Sequence, residues 1–386
     1  MKKGFLIFVI CLLSASSFYT EASRRKQPPV NYLEYAKNVA NAEMSRNSPS
    51  SHRTWNYKMA FLNIAYLNLY EATKNEYYYN YVKNVADRFI DEQGFTINTF
   101  NVEAFDLRNM LGGNFVYDIF YHNRDIRYTN AMTVLRRQLH RQPRVQQNRL
   151  FWFSQANDNE VWLDGFYTAM PFYCLYAAIF NETAIFSDIV VQIRRIDERT
   201  LDPKTGLNFQ AWNESRTRIW ADRTTGTTQA LFAQSIGFYM MALVDILDYF
   251  PVNHDYRDEI IRRINRMTRA LEKHQDSRSG MWFQVVDMPR NNRNFLEASS
   301  TAMFAYAIAK SVNNGYLPKK DRRIAERAFQ GLIDNALEND NITKSTTDAN
   351  LNNGNGTFDF YVNLPQRTNE PNAIAAFILA AVELAK

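Results

Sequence analysis

The sequence predicts an all-α fold, an (α/α)6 barrel in which six helical hairpins close into a toroid. Three observations predict it. Segments that are apolar nearly all round alternate with segments that carry one apolar stripe. About twelve such segments recur in six pairs, at a period of roughly 60 residues. Strand signals are few. A helix apolar on every side must be buried on most sides, whereas a striped helix lies on a surface, so the alternation is what two concentric layers require.

In chain order, Lys2 and Lys3 precede the apolar run Gly4 to Leu13, and small or polar residues follow up to Ala22. Residues 1–22 therefore read as a secretory signal peptide, too short to span a bilayer. This predicts an exported protein, secreted or periplasmic, with 23–386 as one barrel domain. The Phe-Val-Ile before Cys11 is not a lipobox, so no lipid anchor is expected there. Ala60 to Tyr70 is the first all-round apolar helix, and Val82, Val85, Ala86 and Phe89 form the stripe of the next. Tyr167 to Phe180 is again apolar throughout; Phe186, Ile189, Val190 and Ile193 follow as a stripe. Ile260, Ile264, Met267 and Leu271 make another stripe, with arginines on the other faces. Ala302 to Ala309 and Ile374 to Leu384 complete the buried set. Met281 to Val286 reads as a short strand or extended loop. The polar segments Asp202 to Thr228 and Asn339 to Phe360 are long and unequal. They fit elaborate loops at one end of a closed barrel better than the uniform repeats of an open solenoid.

The 45 basic and 40 acidic residues are interspersed, for a net charge of +5. Nucleic-acid binding would call for a basic stripe, so neither nucleic acid nor membrane insertion is expected. Beyond Cys11 the sole cysteine is Cys174, in an apolar run, which excludes an internal disulfide and reads as a small buried hydrophobe. The five histidines lack metal-ligand spacing, and no phosphate loop or dinucleotide fingerprint occurs, so neither metal nor cofactor is expected. Asn181, Asn341 and Asn355 open glycosylation sequons, meaningful only in a eukaryotic source.

Several stretches carry a family resemblance. They are Val161-Trp162-Leu163-Asp164-Gly165-Phe166-Tyr167, Met241 to Tyr249, Met281 to Asp287, Phe295 to Phe304, and Phe360-Tyr361 to Ala381. In this order they resemble glycoside hydrolase families 88 and 105, the unsaturated glucuronyl and rhamnogalacturonyl hydrolases, the second more closely. The resemblance implies a six-hairpin glycosidase acting on an unsaturated uronyl oligosaccharide, with Asp164 as general acid and base. One carboxyl serves both roles because protonation of C4 and activation of water are successive steps. Such an acid must be protonated at working pH. Trp162, Phe166 and Tyr167 are expected to desolvate Asp164, while its place at a helix start favours the charged form and leaves a capping role open.

Departures from the family pattern bear on the pocket. Arg108 stands where relatives carry an aspartate, with Asp106 two residues earlier as a second catalytic candidate. Gln210 replaces a histidine, and Gln234 an arginine. In one reading Arg108 holds the substrate carboxylate; in another it pairs with Asp164 and leaves an inactive glycan-binding barrel. A third reading, an inverting glycosidase, needs Asp106 or Glu214 as partner to Asp164. Trp212, Trp220, Trp282 and Phe238, with Trp162, are candidates for stacking on sugar faces, core packing being the alternative. Glu297 and Ser299 to Thr301 contact sugar or cap a helix.

Overall fold

The computed structural model describes residues 30–146 and 149–386; the expected signal peptide lies outside them. Tyr32–Lys386 form one compact unit. Its helices are α1 (Tyr32–Arg46), α2 (Tyr57–Thr73), α3 (Glu76–Phe89), α4 (Gly112–Asn123), α5 (Ile126–Arg141), α6 (Leu163–Phe180) and α7 (Ala184–Thr200). They continue with α8 (Ala233–Ile246), α9 (Arg257–His274), α10 (Ala298–Asn313), α11 (Arg322–Asn335), the short α12 (Phe358–Val362) and α13 (Pro371–Leu384).

The all-round apolar helices form the inner layer, as their patterning requires. Contacts run from α2 through α4, α6, α8 and α10 to α13, which closes on α2. Helices α3, α5, α7, α9 and α11 each pack outside the preceding inner helix, and α1 covers α13, so the ends of the fold meet. The fold is thus the six-hairpin helical toroid. Helix α4 owes its seat to glycine: a Cβ at Gly112 would fall 2.0 Å from the Trp55 ring.

Inner-to-outer turns are short, and three of the inner helices end on a left-handed residue: Lys74, Arg124 and Asn181, at φ of 54°, 60° and 57°. Outer-to-inner connections are long, so the elaborate loops gather where the inner helices begin. Four two-stranded ribbons brace that end. Glu160–Trp162 pairs with Ala211–Asn213, and Trp282–Phe283 with Leu296–Glu297. Midway along the axis the rings of Phe61, Tyr167 and Phe238 pack together, at centroid distances of 5.3 to 6.1 Å. This aromatic layer divides a cavity at the loop end from a hollow at the other. Cys174 is buried, with its thiol raised by burial and directed to the Ile246 carbonyl. Among the described residues no helix is long and apolar enough to cross a membrane.

Candidate active site

The ribbon strand Glu160–Trp162 runs straight into α6, which places Asp164 in the helix's first turn. Trp162 is the N-cap residue and no side chain caps the helix, so Asp164 is not its cap. Gly165 lets the wall close: a Cβ there would lie 2.6 Å from the Phe153 ring. Phe153 in turn stacks on Trp162, centroids 4.2 Å apart at 11°. The Trp162 indole is fixed from behind by the buried Glu160 carboxylate, 2.7 Å from its Nε1.

Asp164 lines a small cavity of about 70 Å³ with Tyr57, Arg108, Phe153, Trp162 and Phe238, closed from the C-terminal loop by Asp348 and Asn352. Burial pushes its carboxyl up to about 7. Its own backbone N–H opposes the rise, Asp348 adds to it, and the Gln210 hydrogen bond and Arg108 charge oppose it more weakly. Desolvation therefore outweighs the helix start, which by itself favours the anion. Of the rings expected to desolvate it, Trp162 lines the cavity but Phe166 and Tyr167 do not, and Tyr57, Phe153 and Phe238 stand in their place. Phe166 packs on Tyr239 in the core, and Tyr167 joins the axial layer. Two helix positions turn by about 200°, so Phe166 faces away from Asp164, whereas Tyr167, three positions on, keeps nearly the same face about one turn deeper in the barrel.

Arg108 lies in the same cavity but its fork is engaged elsewhere. Nε donates to Asp106 Oδ1 at 3.0 Å and Nη2 to Oδ2 at 2.8 Å. The guanidinium lies 5.1 Å over the Phe153 ring, and Nη1 has no hydrogen bond among the described residues. Asp106 also caps the short 3-10 helix Leu107–Leu111 through the Arg108 N–H. It does not line the cavity, so its expected place as a second acid is corrected: its oxygens are occupied by Arg108. Gln210 reaches Asp164 Oδ2 at 3.4 Å through Nε2, while its Oε1 accepts from the Tyr361 hydroxyl at 2.8 Å.

Four other candidates lie outside the cavity, and one of them, Trp220, is a buried core ring. Trp212 is buried in the ribbon and donates to the Thr225 carbonyl. Trp282 is fully buried, donates to the Leu271 carbonyl and meets Phe304 edge-on. Neither ring has a free face for a sugar. Gln234 is fully buried and donates to Ser299 Oγ, which in turn donates to Glu297. Glu297 caps α10 through the Ser300 N–H at 2.7 Å, so this group caps a helix. Glu214 does not line the cavity. The residues missed by sequence reasoning are Tyr57, Phe153, Asn352 and above all Asp348. Asp348 is held by Lys58 at 3.3 Å and Asn372 at 3.0 Å, a pairing across almost the whole chain that no local pattern announces.

The model of Glycosyl Hydrolase Family 88 matches residues 35–386. The chain belongs to that family. It is a glycoside hydrolase. A solved family 105 glycoside hydrolase of C. acetobutylicum ATCC 824 superposes on this family 88 chain with a TM-score of 0.86 at 31% identity, covering 92% of this chain and 99% of the other. The unsaturated rhamnogalacturonyl hydrolase YesR of Bacillus subtilis is 22% identical over 311 residues, 78% of this chain and 82% of that protein. The unsaturated glucuronyl hydrolase of Bacillus sp. GL1 shares the fold, with a TM-score of 0.69 at 11% identity over 92% of this chain and 96% of that one.

Proposed function

We propose that the enzyme releases a terminal 4,5-unsaturated uronic acid from a lyase-generated oligosaccharide, with rhamnogalacturonan fragments favoured. One observation carries the reading: Asp164, raised to about 7 in an aromatic-walled cavity, is not paired with a guanidinium. The substrate's C4=C5 bond and ring oxygen form a vinyl ether. Asp164 protonates C4, and positive charge develops at C5 and the ring oxygen. The carboxylate left behind takes a proton from water as it adds at C5. The hemiketal opens and the neighbouring sugar leaves. Arg108, anchored by Asp106, turns its free Nη1 to the substrate carboxylate, a charge-assisted contact. Gln210 orients Asp164, and Trp162 and Phe238 wall the ring. The 70 Å³ cavity is narrow for a uronate, and the Arg108 side chain, 43% exposed, is the wall that moves to admit it.

The relative named for rhamnogalacturonyl substrates supports the polymer favoured here. The signal-peptide pattern of residues 1–22 supports export, where such fragments arise. Incubation with unsaturated galacturonyl-rhamnose should abolish the enol-ether ultraviolet absorbance, and Asp164→Asn should prevent it. Retained absorbance with the wild-type protein overturns the reading. Asp348 in the same cavity favours one second reading, an acid–base pair acting on saturated glycosides. Hydrolysis of a saturated analogue at equal rate would select it.

A further inference from the structure

Beyond the aromatic layer, where the inner helices end, the axial hollow widens to about 360 Å³. Helices α2, α4, α6, α8 and α10 all contribute to its wall. Its charges do not balance. Glu71, Asp118, Asp245 and Asp248 face Lys310 and the mouth histidine His122, with Lys74 paired to Glu71 from the rim. Lys310 is engaged by Asp245 at 2.7 Å, Asp248 at 2.6 Å and the Tyr306 hydroxyl at 3.1 Å. Burial works against its charge, but the two aspartates hold it well above the ordinary lysine value. His122 is engaged by Glu71 at 2.6 Å. None of these cations is left for Asp118, whose carboxyl makes no hydrogen bond among the described residues. Burial pushes that carboxyl up to about 7, with Glu71 and Asp248 adding and Lys310 opposing.

A second, independent observation points into the same space. Tyr167 is 1% exposed and lines the hollow, and its hydroxyl has no hydrogen-bond partner among the described residues. The hydroxyl therefore opens onto the hollow, where a ligand donor would take the place of water as its partner. The negative dipole ends of α2, α4, α8 and α10 converge on this end. Tyr117 and Tyr249, edge-to-face at 6.2 Å, supply aromatic faces suited to a cation. No group of three or more His, Cys, Asp or Glu among the described residues is arranged to hold a metal. An anionic uronyl product would be repelled.

We propose that this hollow is a binding site for a small organic diammonium ion. One ammonium sits between Asp118 and the Tyr167 hydroxyl, and a short alkyl chain lies along Ile64, Leu67 and Leu175. The second ammonium meets the mouth carboxylates Glu71 and Asp248, whose side chains are 49% and 36% exposed. The site is separate from Asp164 and does not depend on the substrate assigned above.

Isothermal titration of the full chain with 1,4-diaminobutane tests it, with 1,4-butanediol as the uncharged control. Saturable binding of one diamine per chain is expected, with none of the diol. Asp118→Asn should weaken it about tenfold or more, the loss of a charge-assisted hydrogen bond. Tyr167→Phe should weaken it by about threefold or more, a neutral one. Asp164→Asn should bind as wild type does. The two tested changes are near-isosteric, and should Asp118→Asn not fold, Tyr167→Phe decides alone. No saturable heat with the wild type, equal binding by the diol, or undiminished binding in the folded variants overturns the proposal.

Discussion

The two ends of the barrel each bury an aspartate whose carboxyl is pushed up to about 7, yet they are built for opposite charges. At the loop end Asp164 opens a helix, where the dipole is positive, beside a guanidinium with one free N–H face. At the other end Asp118 lies midway along α4 among further carboxylates, and Lys310 is already taken. Size separates them in the unexpected direction, about 70 Å³ against 360 Å³. Neither a raised pKa nor a roomy cavity therefore tells the two carboxyls apart in kind. The company of the carboxyl does: a neutral amide donor, aromatic walls and a cation free to meet an anionic substrate.

The sharpest break between the ends should be catalytic. Asp164→Asn should lower kcat by about 10²–10⁴-fold, the range of a lost general acid, while Asp118→Asn leaves kcat/KM within about twofold; steady-state rates on the unsaturated disaccharide decide. Equal losses would mean the two carboxyls act as one system. Arg108→Ala should raise KM by about 10–100-fold with a smaller change in kcat, as expected for one charge-assisted contact to the substrate.

Stability should sharpen the likeness instead. A carboxyl whose folded pKa lies above its unfolded value holds its proton more tightly when folded. Its contribution is complete below about pH 4 and is lost as pH rises through about 7. Asparagine cannot ionise, so either substitution should raise stability above pH 7 by on the order of 1–2 kcal/mol, with little gain at pH 4. Urea unfolding at the two pH values measures it. The smallest effect concerns Asp348. Activity should fall as pH rises through about 7, as Asp164 loses its proton. Asp348→Asn should move that limb to lower pH by less than about one unit, because burial, the larger cause, remains.

Much of the molecule was legible before any coordinates. The contrast between Tyr167 to Phe180 and the stripe of Phe186 to Ile193 sorts inner from outer helices, because burial on all sides demands an apolar surface on all sides. The long polar stretches mark the functional end for a related reason: backbone without regular partners must stay near water. Less visible was the pairing of α1 with α13, since contacts across the chain leave no periodic trace.

The site divides along the same line. Sequence by itself determined the layered helical fold, the Trp162–Gly165 turn and the placing of Asp164 at a helix start, all of which depend on near neighbours. Tertiary structure alone decided that Arg108 grips Asp106 rather than Asp164, that Trp212 and Trp282 are core, and that Asp348 crosses over to face Asp164. Charge and desolvation act through space, and chain order does not record which groups a closed ring brings face to face.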